Sequence, residues 1–179
     1  VGAGQSRNIG YETTVDSIPS DFIWIVDADD TLADKNVLQK IYDFHKSHLT
    51  VELICLGCTL RGKYMTSNYK FPHALWGVVV KSDKYVASLT ENIQTGNDIY
   101  PHFIMFDAID DKKILTLNQN CYVWKKSGNH KAKSNLKMDS ELSKAFKNHK
   151  FKKKHIERYI IRTYRWIKRQ YNHSRFQFG

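Results

Sequence analysis

The segment "FIWIVDADD" at residues 22–30 constrains this chain more than any other: an apolar run ends in three aspartates within four residues, Asp27, Asp29 and Asp30. A short, nearly continuous apolar run over 22–27 predicts a strand buried on both faces, as in the interior of an α/β sheet. Carboxylates gathered at the end of such a strand repel one another unless a cation or an arginine offsets them. The carboxyl ends of the strands are also where open α/β sheets receive ligands. Oxygen ligands of this kind suit magnesium or manganese, which keep waters and complete their shell with substrate phosphates. The plainer alternative is a polar turn leading into the next helix.

The remaining pattern supplies the elements around that turn. Residues 4–15 read as a helix, and a second helix is expected over 35–47, capped by Asp34, with Val37, Leu38, Ile41, Tyr42 and Phe44 as its apolar stripe. Two β segments follow at 52–60 and 63–70, with Arg61 and Gly62 as a hairpin turn. Residues 75–81 read as a strand or a strand-to-helix segment, 98–109 as a helix, and 113–118 with 121–125 as a final pair of strands. The expected class is α/β, a mixed sheet flanked by helices.

Charge divides the chain in two. Residues 1–124 hold 11 Lys and Arg against 15 Asp and Glu, a net of −4, whereas residues 125–179 hold 17 against 3, a net of +14. The expected organisation is a catalytic domain over 1–130 and a basic helical extension over 131–179. Within the extension, Ile156, Tyr159, Ile160, Thr163, Trp166, Ile167 and Tyr171 recur at helical spacing over 152–171, bordered by Lys and Arg. Such a helix can dock on the body with a solvated charged back, or lie on an anionic membrane surface. No apolar run is long enough to span a bilayer and no export signal is visible, so the expected location is cytoplasmic, with the inner face of the membrane as the place of attachment.

Several local signals carry less. Cys55, Cys58 and Cys121 give no disulfide framework, and a C-x-x-C inside a strand points its sulfurs to opposite faces, so buried packing is expected. A calcium loop would need Gly and Glu where this chain has Leu32 and Leu38. His45 and His48 lack an intervening acidic motif and read as surface residues. "GAG" at 2–4 lacks a preceding strand and a third glycine. "DADDTL" at 27–32 also resembles the D-x-D-x-T motif of haloacid dehalogenase-type phosphatases, in which Asp27 would be the nucleophile and Asp29 the general acid/base. A third alternative is a non-catalytic basic module binding nucleic acid through the tail, although the acidic body disfavours that partner.

Three ordered motifs spread over residues 2–128 resemble the inverting family 2 glycosyltransferases of GT-A fold. "GAGQSRNIGYETTVDSIPSDFIWIVDADD" is similar to the A-R-N-x-G helix that leads to G-D-Y-I-x-x-x-D-x-D-D, with Arg7, Asn8, Gly10, Asp21 and Ile23 in order. "ALWGVVVKSDKYVASL" resembles the A-x-W-x-K-L-Y-K-R-x-x-L segment. "TGNDIYPHFIMFDAIDDKKILTLNQNCYVWKKSG" resembles the G-E-D-x-x-F helix and a closing Y-x-Y/W strand. Two departures stand out: Asn97 replaces the Glu before Asp98, and nothing corresponds to the family's first strands, P-x-Y-N loop and D-D-G-S. The expectation is therefore an N-terminally incomplete GT-A domain.

The resemblance implies metal-dependent transfer of a sugar, with inversion, from a nucleotide-sugar (a uridine-diphosphate sugar being expected) to a hydroxyl of a glycan or lipid-linked acceptor. Arg7, Asn8, Asp27 and Asp29 would bind the donor, with Asp29, Asp27 and His130 as ligands for Mn2+ or Mg2+. Asp98 would be the catalytic base, and Trp76 and Asn97 would contact the acceptor.

Overall fold

A computed structural model describes residues 3–17, 20–28, 30–60, 62–66, 77–89 and 105–124. Helix α1 (Ala3–Ser17) leads to strand β1 (Phe22–Trp24), the acidic turn and the two-residue strand β2 (Thr31–Leu32). Helix α2 (Val37–Ser47), the hairpin β3 (Leu53–Leu60) and β4 (Lys63–Thr66), strand β5 (Val78–Lys81), helix α3 (Ser82–Leu89) and strand β6 (Ile114–Trp124) follow. Residues 105–108 are helical.

Among the described residues the six strands form one mixed sheet, in the order β1-β5-β3-β6-β2, with β4 on β3. β3 runs parallel to β6 and antiparallel to β5, and β5 runs antiparallel to β1. β1, β3 and β6 therefore point the same way, with β5 reversed between the first two. The chain is α/β in class.

β3 occupies the middle because its sequence can be buried on both faces. Leu53 and Cys55 join Val78, Val80, Tyr85, Met105, Phe106 and Ile109 on one side. Ile54 and Leu56 join Val37, Val51, Val79, Leu117 and Cys121 on the other. Each large apolar side chain so buried contributes about 1.5–3 kcal/mol. On the first side Tyr11 anchors α1: its ring lies 5.1 Å from that of Tyr85, and its hydroxyl donates to the Ser82 carbonyl at 3.1 Å. On the second side α2 packs through Val37, Ile41 and Phe44.

Helices α1 and α2 and the hairpin follow the sequence pattern, β5 falls in the expected 75–81 segment with α3 directly after it, and Gly62 takes a φ of 75° at the hairpin turn; of the helix expected over 98–109, residues 98–104 lie outside the described residues. Three expectations need correction. β1 is shorter than 22–27 and its residues are only half-buried, because among the described residues it pairs with β5 alone and forms a sheet edge. Asp34 does not cap α2 directly: its carboxylate accepts from the Asn36 amide at 2.7 Å and from Lys40 Nζ at 2.5 Å, and the helix starts at Val37. These bonds, that to Lys40 foremost, hold its pKa below the usual carboxylate value.

The expected final pair of strands is one strand, β6. Gln119 and Asn120 look like a turn but continue β6 through an irregular stretch: pairing to β3 steps from Leu56 with Leu117 to Gly57 with Asn120, leaving Asn118 and Gln119 as a bulge, and then to Cys58 with Tyr122. Gly57 makes this possible: a Cβ there would overlap the Gln119 carbonyl and the Tyr64 hydroxyl.

Candidate functional site

The strand that carries the aspartates ends early, so Asp27 stands beyond the last ladder pair at Trp24. The chain then closes a tight turn, in which the Asp30 amide donates to the Asp27 carbonyl at 3.1 Å. Beyond it, Thr31 and Leu32 pair with Val123 and Tyr122 of β6, and the Ala33 amide donates to the Cys121 carbonyl at 3.1 Å. The turn is therefore suspended between two edges of the sheet, β1 on β5 and β2 on β6.

Two of its carboxylates meet polar groups from elsewhere in the chain. Arg7 Nη2 on α1 lies 3.0 Å from Asp27 Oδ1, and the two side chains are 17% and 35% exposed. This supplies the positive partner that the clustered carboxylates require, and Asp27 keeps solvent contact through which an ion could approach. The Tyr122 hydroxyl donates to Asp30 Oδ2. Burial first, and then the bond to Asp30, push the Tyr122 phenol well above the ordinary tyrosine value.

The donor set suits a hard divalent cation, because every candidate ligand in the turn is a carboxylate oxygen. Among the described residues no three His, Cys, Asp or Glu side chains gather about one point. Asp29, Asp98, Asn97, Trp76 and His130 lie outside the described residues, as do 152–171 of the basic extension. Asn8 is in the same helix as Arg7, and its side chain is likewise outside the description. Of the expected site residues, the structure thus brings Arg7 and Asp27 together.

The cysteines behave as buried packing. All three are free and buried; burial pushes the Cys55 thiol up to about 12, and Cys58 and Cys121 each up to about 11. Such thiols are poor nucleophiles and poor metal ligands at neutral pH. His48 is a surface residue stacked on Phe44, with ring centroids 4.3 Å apart. His45, expected at the surface, is instead half-buried, its ring 4.7 Å from that of Phe22 under β1.

Tyr122 is the site residue that sequence reasoning missed. It was visible as the first aromatic of the Y-x-W strand, but nothing near it in the chain assigns its hydroxyl to a carboxylate 92 positions away. No protein-family model matches the chain, and no curated protein matches it significantly. Among the described residues no helix is long and apolar enough to cross a membrane.

Proposed function

We propose that this chain belongs to the catalytic part of a metal-dependent inverting glycosyltransferase of GT-A type, taking a uridine-diphosphate sugar as donor and a glycan or lipid-linked hydroxyl as acceptor. The observation that carries this reading is the meeting of Arg7 and Asp27 at 3.0 Å at the carboxyl end of β1. The two residues come from separate stretches of the motif that the resemblance assigns to one donor site. The mixed sheet is compatible with the α/β class that this reading requires.

In this reading Asp27 and Asp29 hold Mn2+ or Mg2+, and the cation when bound supplies charge stabilisation for the departing diphosphate. Arg7 keeps a guanidinium beside the same turn, where it holds Asp27 and adds positive potential for phosphate oxygens. Asp98 accepts the proton of the attacking acceptor hydroxyl, as the resemblance assigns. Asn97 and Trp76 line the acceptor side, Trp76 offering its ring face to a sugar.

Titration of manganese with uridine-diphosphate sugars onto the full reading frame that contains this chain tests the reading. Saturable binding and slow donor hydrolysis, both lost in Asp29→Ala, are expected; neither binding nor hydrolysis sinks it. Phosphatase activity abolished by Asp27→Asn would transfer the turn to phosphoryl chemistry. For residues 152–171, the proposal is attachment to anionic lipid, and failure to float with anionic liposomes removes it.

A further inference from the structure

The acidic turn has a second support besides Arg7. Tyr122 is wholly buried, with its ring centroid 6.3 Å from that of Trp24 and Cys58 opposite it in the ladder. A tyrosine so enclosed needs a partner for its hydroxyl, and it has one in Asp30 Oδ2, to which it donates. The residue it holds is also the one that closes the turn, since the Asp30 amide donates to the Asp27 carbonyl at 3.1 Å.

Its position in the sheet gives this contact leverage. Tyr122 stands opposite Leu32 in β2, two residues after Asp30, and opposite Cys58 in the central strand β3. The phenol therefore ties the turn to the part of the molecule with the most burial. Arg7 approaches from a helix and keeps 17% of its side chain exposed. Ligating carboxylates depend on such outer hydrogen bonds for their orientation, and losing one typically weakens metal affinity by about 10–100-fold.

We infer that Tyr122 is a positioning residue of the acidic turn: holding Asp30 from β6, it fixes, through the turn that Asp30 closes with Asp27, where the Asp27 carboxylate stands to receive a divalent cation. The inference rests on the donor-site reading of the turn. Tyr122 touches neither the cation nor the donor in this role; it acts through Asp30 and the backbone.

Tyr122→Phe keeps the ring and its packing and deletes only the hydroxyl. Manganese affinity is read by electron paramagnetic resonance on the full reading frame, without any sugar donor and well below the melting temperature. The expected result is affinity about 10-fold weaker. Asp30→Ala should weaken it similarly, and the double variant should be no weaker than the worse single one, since both delete the same bond. In the metal-free protein, hydrogen exchange at the Asp30 amide should quicken in Tyr122→Phe. Unchanged exchange, or a lower melting temperature with unchanged manganese affinity, overturns the inference and leaves the donor site standing. If the unaltered protein binds no manganese, the donor-site reading falls and the inference falls with it.

Discussion

Leu53, Ile54, Cys55, Leu56 and Cys58 in the middle of the sheet have no exposed surface, whereas Phe22, Ile23 and Trp24 of β1 are each half-buried and Val26 beyond them is 39% exposed. β3 has a ladder on either side and a hydrophobic cluster on either face. The acidic turn, by contrast, is held in place by an ion pair, a buried phenol and short ladders at its two flanks. Apolar burial secures the centre without caring greatly about direction; the rim depends on a few directional polar bonds. Damage at the centre should therefore appear as lost stability, and damage at the rim as altered turn geometry.

The largest effect should come from emptying the centre. Ile54→Ala removes a side chain that packs with Val37, Val51, Val79 and Leu117, and such truncations cost about 2–5 kcal/mol. Denaturant unfolding should read that loss while the Asp30 amide keeps its exchange protection in the remaining folded molecules. If Ile54→Ala instead opens the turn first, centre and rim are not separate.

Gly57→Ala is next. The new methyl meets the Gln119 carbonyl, which belongs to the backbone and cannot rotate away, so a loss of about 1–3 kcal/mol is expected. Adding Tyr64→Phe should not rescue it, although the Tyr64 hydroxyl also stands in the way and donates to Asn118 at 3.0 Å. Full rescue would mean that the side chain, not the bulge, dictates glycine.

That bulge also marks the limit of what the sequence discloses. Helices α1 and α2, the Gly62 turn and strand β5 were legible, because spacing, glycine and local polarity decide each of them over a few residues. β6 was not, since Gln119 and Asn120 carry turn chemistry, and only the close approach of Gly57, far upstream, makes Asn118 and Gln119 a bulge and Asn120 a ladder residue. The apolar run at 22–26 announced a strand but not its neighbours, so an edge strand passed for a central one. At the site, repulsion among Asp27, Asp29 and Asp30 foretold a positive partner, and the motif supplied Arg7. The Tyr122 bond was illegible because it depends on β2 folding onto β6.

Removing that bond gives a smaller stability effect than either change at the centre. Tyr122→Phe leaves all the apolar contacts and takes one hydroxyl from a carboxylate that is itself part-buried, a loss of about 1–2 kcal/mol. Unfolding curves for Tyr122→Phe and Ile54→Ala should therefore separate clearly. A Tyr122→Phe loss as large as that of Ile54→Ala would place the turn among the main sources of stability.

Arg7→Ala should cost least. The Arg7 and Asp27 side chains are 17% and 35% exposed, so water and salt screen their attraction, and pairs of this kind contribute about 0–1 kcal/mol. The helix that carries Arg7 has its own anchor in Tyr11, which is buried against Tyr85, so losing the guanidinium should not release α1. The unfolding midpoint should hardly move, and raising the salt concentration should erase what difference remains. Donor binding is where the change should register, because a guanidinium at the turn matters to a diphosphate far more than to the fold. Arg7→Lys distinguishes charge from shape: it should keep the stability and regain only part of the donor affinity, since an ammonium cannot present the planar fork. If Arg7→Ala unfolds the protein as readily as Ile54→Ala, the ion pair is structural, and the meeting of Arg7 with Asp27 ceases to support a donor site.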